Sequence, residues 1–206
     1  MYWQGVPMLI SILTFPGFNE LDSFIASSLL NRIKKPDWRV HVCCQEDCAT
    51  SMNGLTVLAQ SRLDEVQRAD AVVVGSGSQT RDIVKNPEIM DMLKLDPSRQ
   101  LIAAQCSGTL VLAKLGLLGQ MPACTDLTTK PWVQEAGVEV LDEPFHAVGN
   151  MATAGGCLAS TYLAAWLIAK TEGIEAACQA IHYVAPVGEK DQYVRMVRKN
   201  IEPFVQ

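Results

Sequence analysis

Apolar and polar positions along this chain alternate between two rhythms. Met8–Phe15 is a nearly continuous apolar run and reads as a first strand. From Leu21 to Ile33 the apolar residues (Leu21, Phe24, Ile25, Leu29, Ile33) recur at helical spacing. Trp38–Cys44 and Leu55–Ala59 read as strands, and Asp70–Gly75 reads as a fully buried strand that ends in the loop Gly75-Ser76-Gly77-Ser78. A helical piece over Pro87–Leu95 precedes a further buried strand at Leu101, followed by an apolar helix through Leu110, Val111, Leu112, Leu115 and Leu117. The second half is less regular. It predicts a helix over Thr129–Ala136, short strands at Val138–Leu141 and Phe145–Val148, and an almost wholly apolar helix after Gly156 up to Ile168. Helices over Ile174–Tyr183 and Lys190–Ile201 close the chain.

Strands that alternate with helices predict an α/β fold: a doubly wound, mostly parallel sheet with helices on both faces. Strands buried on both sides read as unbroken apolar runs, as several do here. No linker, repeat or low-complexity tract interrupts the pattern, so residues 1–206 read as a single domain.

Composition narrows the function classes. The net charge of −5 comes with no basic cluster, which argues against nucleic acid or an anionic membrane as partner. The apolar run Tyr162–Ala169 is too short to span a bilayer. Met1–Leu13 lacks a basic start, and Pro7, Pro16 and Gly17 break the region up, so it reads as a lead-in and first strand rather than a leader. Seven cysteines do not make a paired framework, and the expectation is a reducing, cytoplasmic setting.

Gln105-Cys106-Ser107-Gly108 is the segment with the clearest chemistry. It joins a buried strand to a helix through a small residue and a glycine, the layout of a nucleophile elbow. Ligands of open α/β sheets bind outside the carboxyl ends of the strands, where Cys106 falls. The N–H groups of the following helix are expected to lower the thiol's pKa. Cys43, Cys44 and Cys48 follow His41 closely, yet strand alternation sends Cys43 and Cys44 to opposite faces, so no zinc site is expected. Cys124, Cys157 and Cys178 sit in apolar contexts and read as core, with Cys157 close enough to the Gly155-Gly156 turn to lie near the site. Lys190, Arg195, Arg198 and Lys199 read as a solvated helix face.

Three motifs together resemble the ThiJ/PfpI superfamily, also called the DJ-one superfamily. They are Phe15-Pro16-Gly17-Phe18-Asn19-Glu20-Leu21-Asp22, then Val72–Gly77 with Ala104–Gly108, and Thr153-Ala154-Gly155-Gly156 before an apolar helix. The resemblance implies a flavodoxin-like fold related to class I glutamine amidotransferases, a homodimer, no cofactor and a small-molecule substrate. It selects Asp22 as the acid that touches the cysteine; the residue pattern alone also fits a helix-start role for Asp22 and for Glu20. A thiolate and a carboxylate in one buried pocket resist both being charged, so the pair is expected to share a proton, with Asp22 acting as general acid–base. The family pattern places the Ser107 N–H, with that of Gly77 or Ser76, as an oxyanion hole, while Ser107 equally fits a helix cap.

Within the superfamily, the Leu21-Asp22 acid and the hydroxyl residue after Cys106 resemble most the isocyanide hydratase branch. That branch implies hydration of an isocyanide to an N-substituted formamide. Glyoxalase- or deglycase-like chemistry on a small dicarbonyl, and a non-enzymatic redox sensor or ligand-binding module, are the alternatives. Many relatives carry a histidine where this chain has Asp126, and the protease branch has one where Ser107 stands, so a Cys–His peptidase is not expected. His41 and His146 fall in strands. His182 precedes Tyr183-Val184-Ala185-Pro186, a stretch resembling one that lines the family's pocket.

Overall fold

A computed structural model describes residues 7–205; the lead-in over residues 1–6 lies outside the described residues. In chain order the elements are β1 (Met8–Leu13), α1 (Glu20–Leu30), β2 (Trp38–Cys44), β3 (Cys48–Thr50), β4 (Thr56–Leu58), β5 (Ser61–Arg62), β6 (Ala71–Val74), α2 (Thr80–Ile83) and α3 (Pro87–Met92). There follow β7 (Leu101–Gln105), α4 (Gly108–Lys114), α5 (Lys130–Glu135), β8 (Phe145–Val148), β9 (Met151–Ala154), α6 (Ser160–Glu172), α7 (Ile174–Val184) and α8 (Lys190–Ile201).

Seven strands form one sheet in the order β5-β2-β1-β6-β7-β9-β8. Every neighbouring pair is parallel except the β8–β9 hairpin at one edge. The central strands β6 and β7 are buried along their whole length, because each face of the sheet carries its own apolar layer. One layer packs Ile10, Ile12, Val73 and Ala103 against α1, α6, α7 and α8. The other packs Leu13, Val72, Val74 and Ile102 against α3, α4 and α5.

Helix α6 is apolar almost all round, which only a helix enclosed by other elements can afford. Its Trp166 is fully buried, and the indole N–H donates to the Phe204 carbonyl at 3.0 Å. Among the described residues, no helix is long and apolar enough to cross a membrane.

Two strand expectations need correction. The segment expected as a strand over 55–59 contributes only β4, which pairs with β3 in a separate two-stranded antiparallel ribbon. Thr56 and Leu58 are exposed there, while Val57 and Ala59 pack on a small cluster of Phe18, Cys44 and Ala49. Val138–Leu141 forms no strand: it meets its neighbour through one isolated bridge, Ala123 with Val140. On the closing helix, Arg195 and Lys199 are exposed as expected of a solvated face, while Arg198 and Lys190 make specific contacts. Arg198 pairs with Glu175 and Glu202, and Lys190 Nζ donates to backbone carbonyls at the end of α7.

The carboxyl ends of β1, β6, β7 and β9 open on the same edge of the sheet. The segments that leave them hold every residue of the site described next.

Candidate active site

Strand β7 ends in a sharp reversal at Cys106. With φ of 45°, it is the positive-φ residue other than glycine among the described residues, a conformation that costs an L-residue about 1–2 kcal/mol. The surroundings hold it there. Its N–H donates to the Ala154 carbonyl at 2.8 Å, and its carbonyl accepts from Thr125 Oγ1 at 2.8 Å and from the Thr109 N–H at 3.1 Å. Gly108 lets the chain re-enter the helix against β6: a Cβ there would lie 2.3 Å from the Val74 carbonyl oxygen. The result is a nucleophile elbow, with the sulfur raised at the carboxyl edge of the sheet.

Asp22 comes from the first turn of α1, whose start is fixed by Asn19 accepting from the Leu21 N–H. Although helix starts favour acidic residues, this one is turned inward and is only 1% exposed. Its Oδ2 accepts a short hydrogen bond from Ser76 Oγ, and Oδ1 accepts from Ser23 Oγ at 3.4 Å. A carboxylate oxygen of Asp22, Cys106 Sγ and Cys157 Sγ all lie within 4.8 Å of one another. The pairing implied by the resemblance is thus assembled by the fold.

The electrostatics differ in one respect from expectation. Burial, followed by the Asp22 charge, pushes the Cys106 thiol up to about 12, and the Gln105 hydrogen bond acts in the opposite direction. Burial likewise raises Asp22 from 3.8 to about 6, against the hydrogen bonds from Ser76 and Ser23. The predicted lowering of the thiol by the helix start is therefore overturned: α4 is only seven residues long, and desolvation of a buried sulfur outweighs its N–H groups. What survives is the shared proton. At neutral pH the two groups keep one proton between them, because losing both would leave two anions in a dry pocket.

The oxyanion loop also departs from expectation. The Gly77 N–H donates to Ser107 Oγ at 3.0 Å, so it is already engaged and does not face the sulfur. Thr80 Oγ1 lies 2.8 Å from the same hydroxyl. Ser107 therefore does not cap α4 with its side chain; it ties the elbow to the loop after β6. Its own N–H has no acceptor among the described residues and is a donor left for a developing negative charge. Ser76 donates through its hydroxyl to Asp22, and its amide, like that of Ser107, has no acceptor among the described residues.

A cleft of about 320 Å³ opens over the elbow, and Cys106, Ser76, Gly77, Ser107 and Asp126 are among its walls. The Asp126 carboxylate accepts from the Thr128 and Thr129 N–H groups, both at 2.9 Å, so it organises the turn into α5 where relatives carry an imidazole. His182 is exposed on α7 and does not line this cleft. The end of α7 that carries it instead faces α1 across a separate apolar groove lined by Leu21, Ile181 and Val184. His41 and His146 are half-buried strand residues, and His146 packs edge-on against Phe204 at 5.2 Å.

Sequence reasoning missed three contributors. Gln105 donates from Nε2 to Cys106 Sγ at 3.3 Å and to the Gly156 carbonyl at 3.0 Å. Cys157, read as core, stands in the cleft wall, and Asn19 Nδ2 donates to its sulfur at 3.2 Å. Arg81 stacks over Trp132 at 4.2 Å on the same rim. A polar residue ending a wholly apolar strand was the available signal for Gln105; for Cys157 it was its place just after Gly155-Gly156, and Arg81 carried none. The cysteines near His41 separate as alternation predicts, Cys43 into the core under β6 and Cys44 into a cluster with Phe18. Asp22, Cys106 and Cys157 are the three ligand-type side chains, among the described residues, close enough to share a metal ion.

A family model described as DJ-1/PfpI family matches residues 8–170. Among solved structures, a ThiJ/PfpI family protein from Pseudomonas syringae superposes with a TM-score of 0.78 at 17% identity, covering 97% of this chain and 89% of its own. A DJ-1 superfamily protein from Salmonella typhimurium, solved as a cysteine-to-alanine mutant, gives 0.73 at 25% identity, with 87% and 99% covered. Drosophila melanogaster DJ-1beta gives 0.75 at 21% identity, with 87% and 98% covered. No curated protein sequence matches the chain significantly.

Proposed function

The chain belongs to the DJ-1/PfpI family, and from that premise we propose that it hydrates a small neutral electrophile, an isocyanide, to an N-substituted formamide. The observation that carries this reading is the buried Cys106–Asp22 pair, which keeps one proton between sulfur and carboxylate, in a cleft with no imidazole on its walls. The charge of the site supports a neutral substrate and product. Asp22 and Asp126 both raise the Cys106 thiol, so an acid such as lactate, the product of dicarbonyl chemistry, would form against two carboxylates.

The steps follow from the pair. Asp22 takes the thiol proton as the sulfur bonds to the terminal isocyanide carbon, then delivers it to that carbon, giving a thioimidate. The Asp22 carboxylate next draws a proton from water as the water oxygen adds to the same carbon, and hands that proton to the nitrogen. The Ser107 N–H is placed to steady negative charge on the new oxygen. The carbon–sulfur bond then breaks as the new hydroxyl gives up its proton, through Asp22, to the departing sulfur, and the formamide leaves. Dividing the hydration into two additions at one carbon is the gain from covalent catalysis.

The test is formamide production from a panel of alkyl and aryl isocyanides by the native protein and by Cys106→Ala. Turnover that disappears in the variant is expected. A native protein inert across the panel sinks the proposal, and conversion of methylglyoxal to lactate instead would put the dicarbonyl reading in its place. We further propose that the protein works as a homodimer in a reducing, cytoplasmic compartment. The apolar groove between α1 and the end of α7, with Leu21 and Val184 exposed on its rim, supports the first part; the free state of all seven cysteines supports the second. Light scattering at micromolar concentration checks the dimer.

A further inference from the structure

Cys157 stands in the cleft that Cys106 opens into, and the proposed hydration gives it no task. Its sulfur lies within 4.8 Å of Cys106 Sγ and is half-buried rather than sealed in the core. It opens a short turn, Cys157–Ala159, immediately after Gly156, whose φ is 89°. The two glycines before it have opposite characters. A Cβ on Gly155 would meet the Thr125 carbonyl oxygen at 2.3 Å, so that residue is pinned to the elbow's neighbour; one on Gly156 would meet nothing within 4 Å. The space beside Gly156 is therefore open, although its carbonyl accepts from Gln105 Nε2 and from the Ala159 N–H, while the strand end that holds Cys106 stays fixed.

We propose that Cys157 is the resolving thiol of Cys106: a hydroperoxide oxidises Cys106, and Cys157 traps the product as a reversible Cys106–Cys157 disulfide that closes the site. Asp22 accepts the Cys106 proton, and the sulfur attacks one peroxide oxygen. A sulfur–oxygen bond forms, the oxygen–oxygen bond breaks, and the leaving alkoxide takes the proton from Asp22 to depart as alcohol, or as water when the oxidant is hydrogen peroxide. Cys157 sulfur then attacks the sulfenic sulfur. The sulfur–sulfur bond forms, hydroxide leaves and takes up the Cys157 proton as water, and a small dithiol later reduces the bond. The two thiols lose two electrons in all and the peroxide gains them.

Bridging requires the sulfurs to close to about 2 Å, which asks for rotation of the half-buried Cys157 side chain toward Cys106. Asn19 already holds the Cys157 sulfur on the cleft side. Capture as a disulfide also stops Cys106 short of the sulfinic acid, which ordinary thiols do not reverse. The other cysteines offer no such partner: Cys43, Cys44 and Cys124 are buried in the core layers away from the cleft.

The inference rests on the reactivity of Cys106 assumed in the proposed function, not on the identity of the substrate. The full-length protein is treated with one or two equivalents of hydrogen peroxide, then analysed by intact mass and by peptide mapping without reduction. Expected are loss of two hydrogens, a linked Cys106–Cys157 peptide, loss of two of the seven titratable thiols, and full recovery with dithiothreitol. Cys157→Ser, with Cys157→Ala as a second variant, should give no linked peptide and should carry Cys106 on to a sulfinic acid that dithiothreitol leaves unchanged. Native protein that forms the sulfinic acid as readily as these variants, or a link between any other pair, overturns the inference while leaving isocyanide turnover intact. Native protein in which Cys106 resists both peroxide and iodoacetamide overturns this inference and the proposed function together.

Discussion

Replacing Asp22 by asparagine should make the protein more stable and less active at the same time. Burial raises the Asp22 carboxyl from 3.8 to about 6, so the native state binds this proton more tightly than the unfolded chain does. Between those two values the unfolded chain has released a proton that the native protein still holds. Stability therefore falls as pH rises through that window and levels off above about pH 6. At about 1.4 kcal/mol per tenfold change in proton affinity, the charged carboxylate costs the fold about 3 kcal/mol at neutral pH. Asparagine carries no charge, and its carbonyl still accepts from Ser76. Urea unfolding at pH 7 should show Asp22→Asn more stable by about 2–3 kcal/mol, and for a chain of this size the melting temperature should rise by about 5–10 °C. Below pH 4 the two proteins should converge. Turnover should fall by about 10²–10⁴-fold, since the amide cannot take the thiol proton. The native kcat/KM should rise with pH to a plateau above about 6, a rise the variant lacks. A variant no more stable than the native protein at pH 7, or one that keeps the native slope of stability between pH 4 and 6, would refute the reasoning.

Three further outcomes follow from the elbow. Cys106→Ala and Cys106→Gly should both be inactive, but the glycine variant should be the more stable by about 1 kcal/mol, because only glycine accepts the positive φ without strain; equal denaturation midpoints would contradict the strain. Gly108→Ala drives a methyl group to within 2.3 Å of the Val74 carbonyl oxygen, and equilibrium unfolding should register a loss of about 3 kcal/mol. Gln105→Leu removes the hydrogen bond from Nε2 to the Cys106 sulfur. A bond to a charged partner is worth about 1.5–3 kcal/mol, so alkylation of Cys106 by iodoacetamide should slow by about tenfold or more, and an unchanged rate would show that the amide does not favour the thiolate.

The parts of the site that were legible in advance are those written in consecutive residues. Leu101–Gln105 followed by Cys106, Ser107 and Gly108 states a buried strand, a turn and a helix in the order the chain adopts them, and the elbow is where that reading placed it. Asp22 required the family resemblance, since a carboxylate in the first turn of a helix has a solvent-facing explanation that the local pattern cannot exclude. The contacts that define its chemistry come from far away. Ser76, which donates to Asp22, lies 54 residues along the chain, and Asn19 meets Cys157 across 138 residues. Nothing in the spacing of these residues announces the meeting.

Local pattern sufficed for the parallel strands β1, β2, β6 and β7, most of their helical cover and the turn that lifts Cys106, because side-chain periodicity and backbone preference act over a few residues. It did not mark β9, whose Met151-Ala152-Thr153-Ala154 is mostly small residues. The proton balance of Cys106 and Asp22, the diversion of the Gly77 amide onto Ser107, and the presence of Cys157 beside the sulfur arise from folding across the whole chain. Desolvation is the physical reason for the first of these. The same cysteine at the start of a helix has a lowered pKa in water-accessible surroundings and a raised one when buried beside a carboxylate, and only the packed sheet and helices specify which surroundings it has.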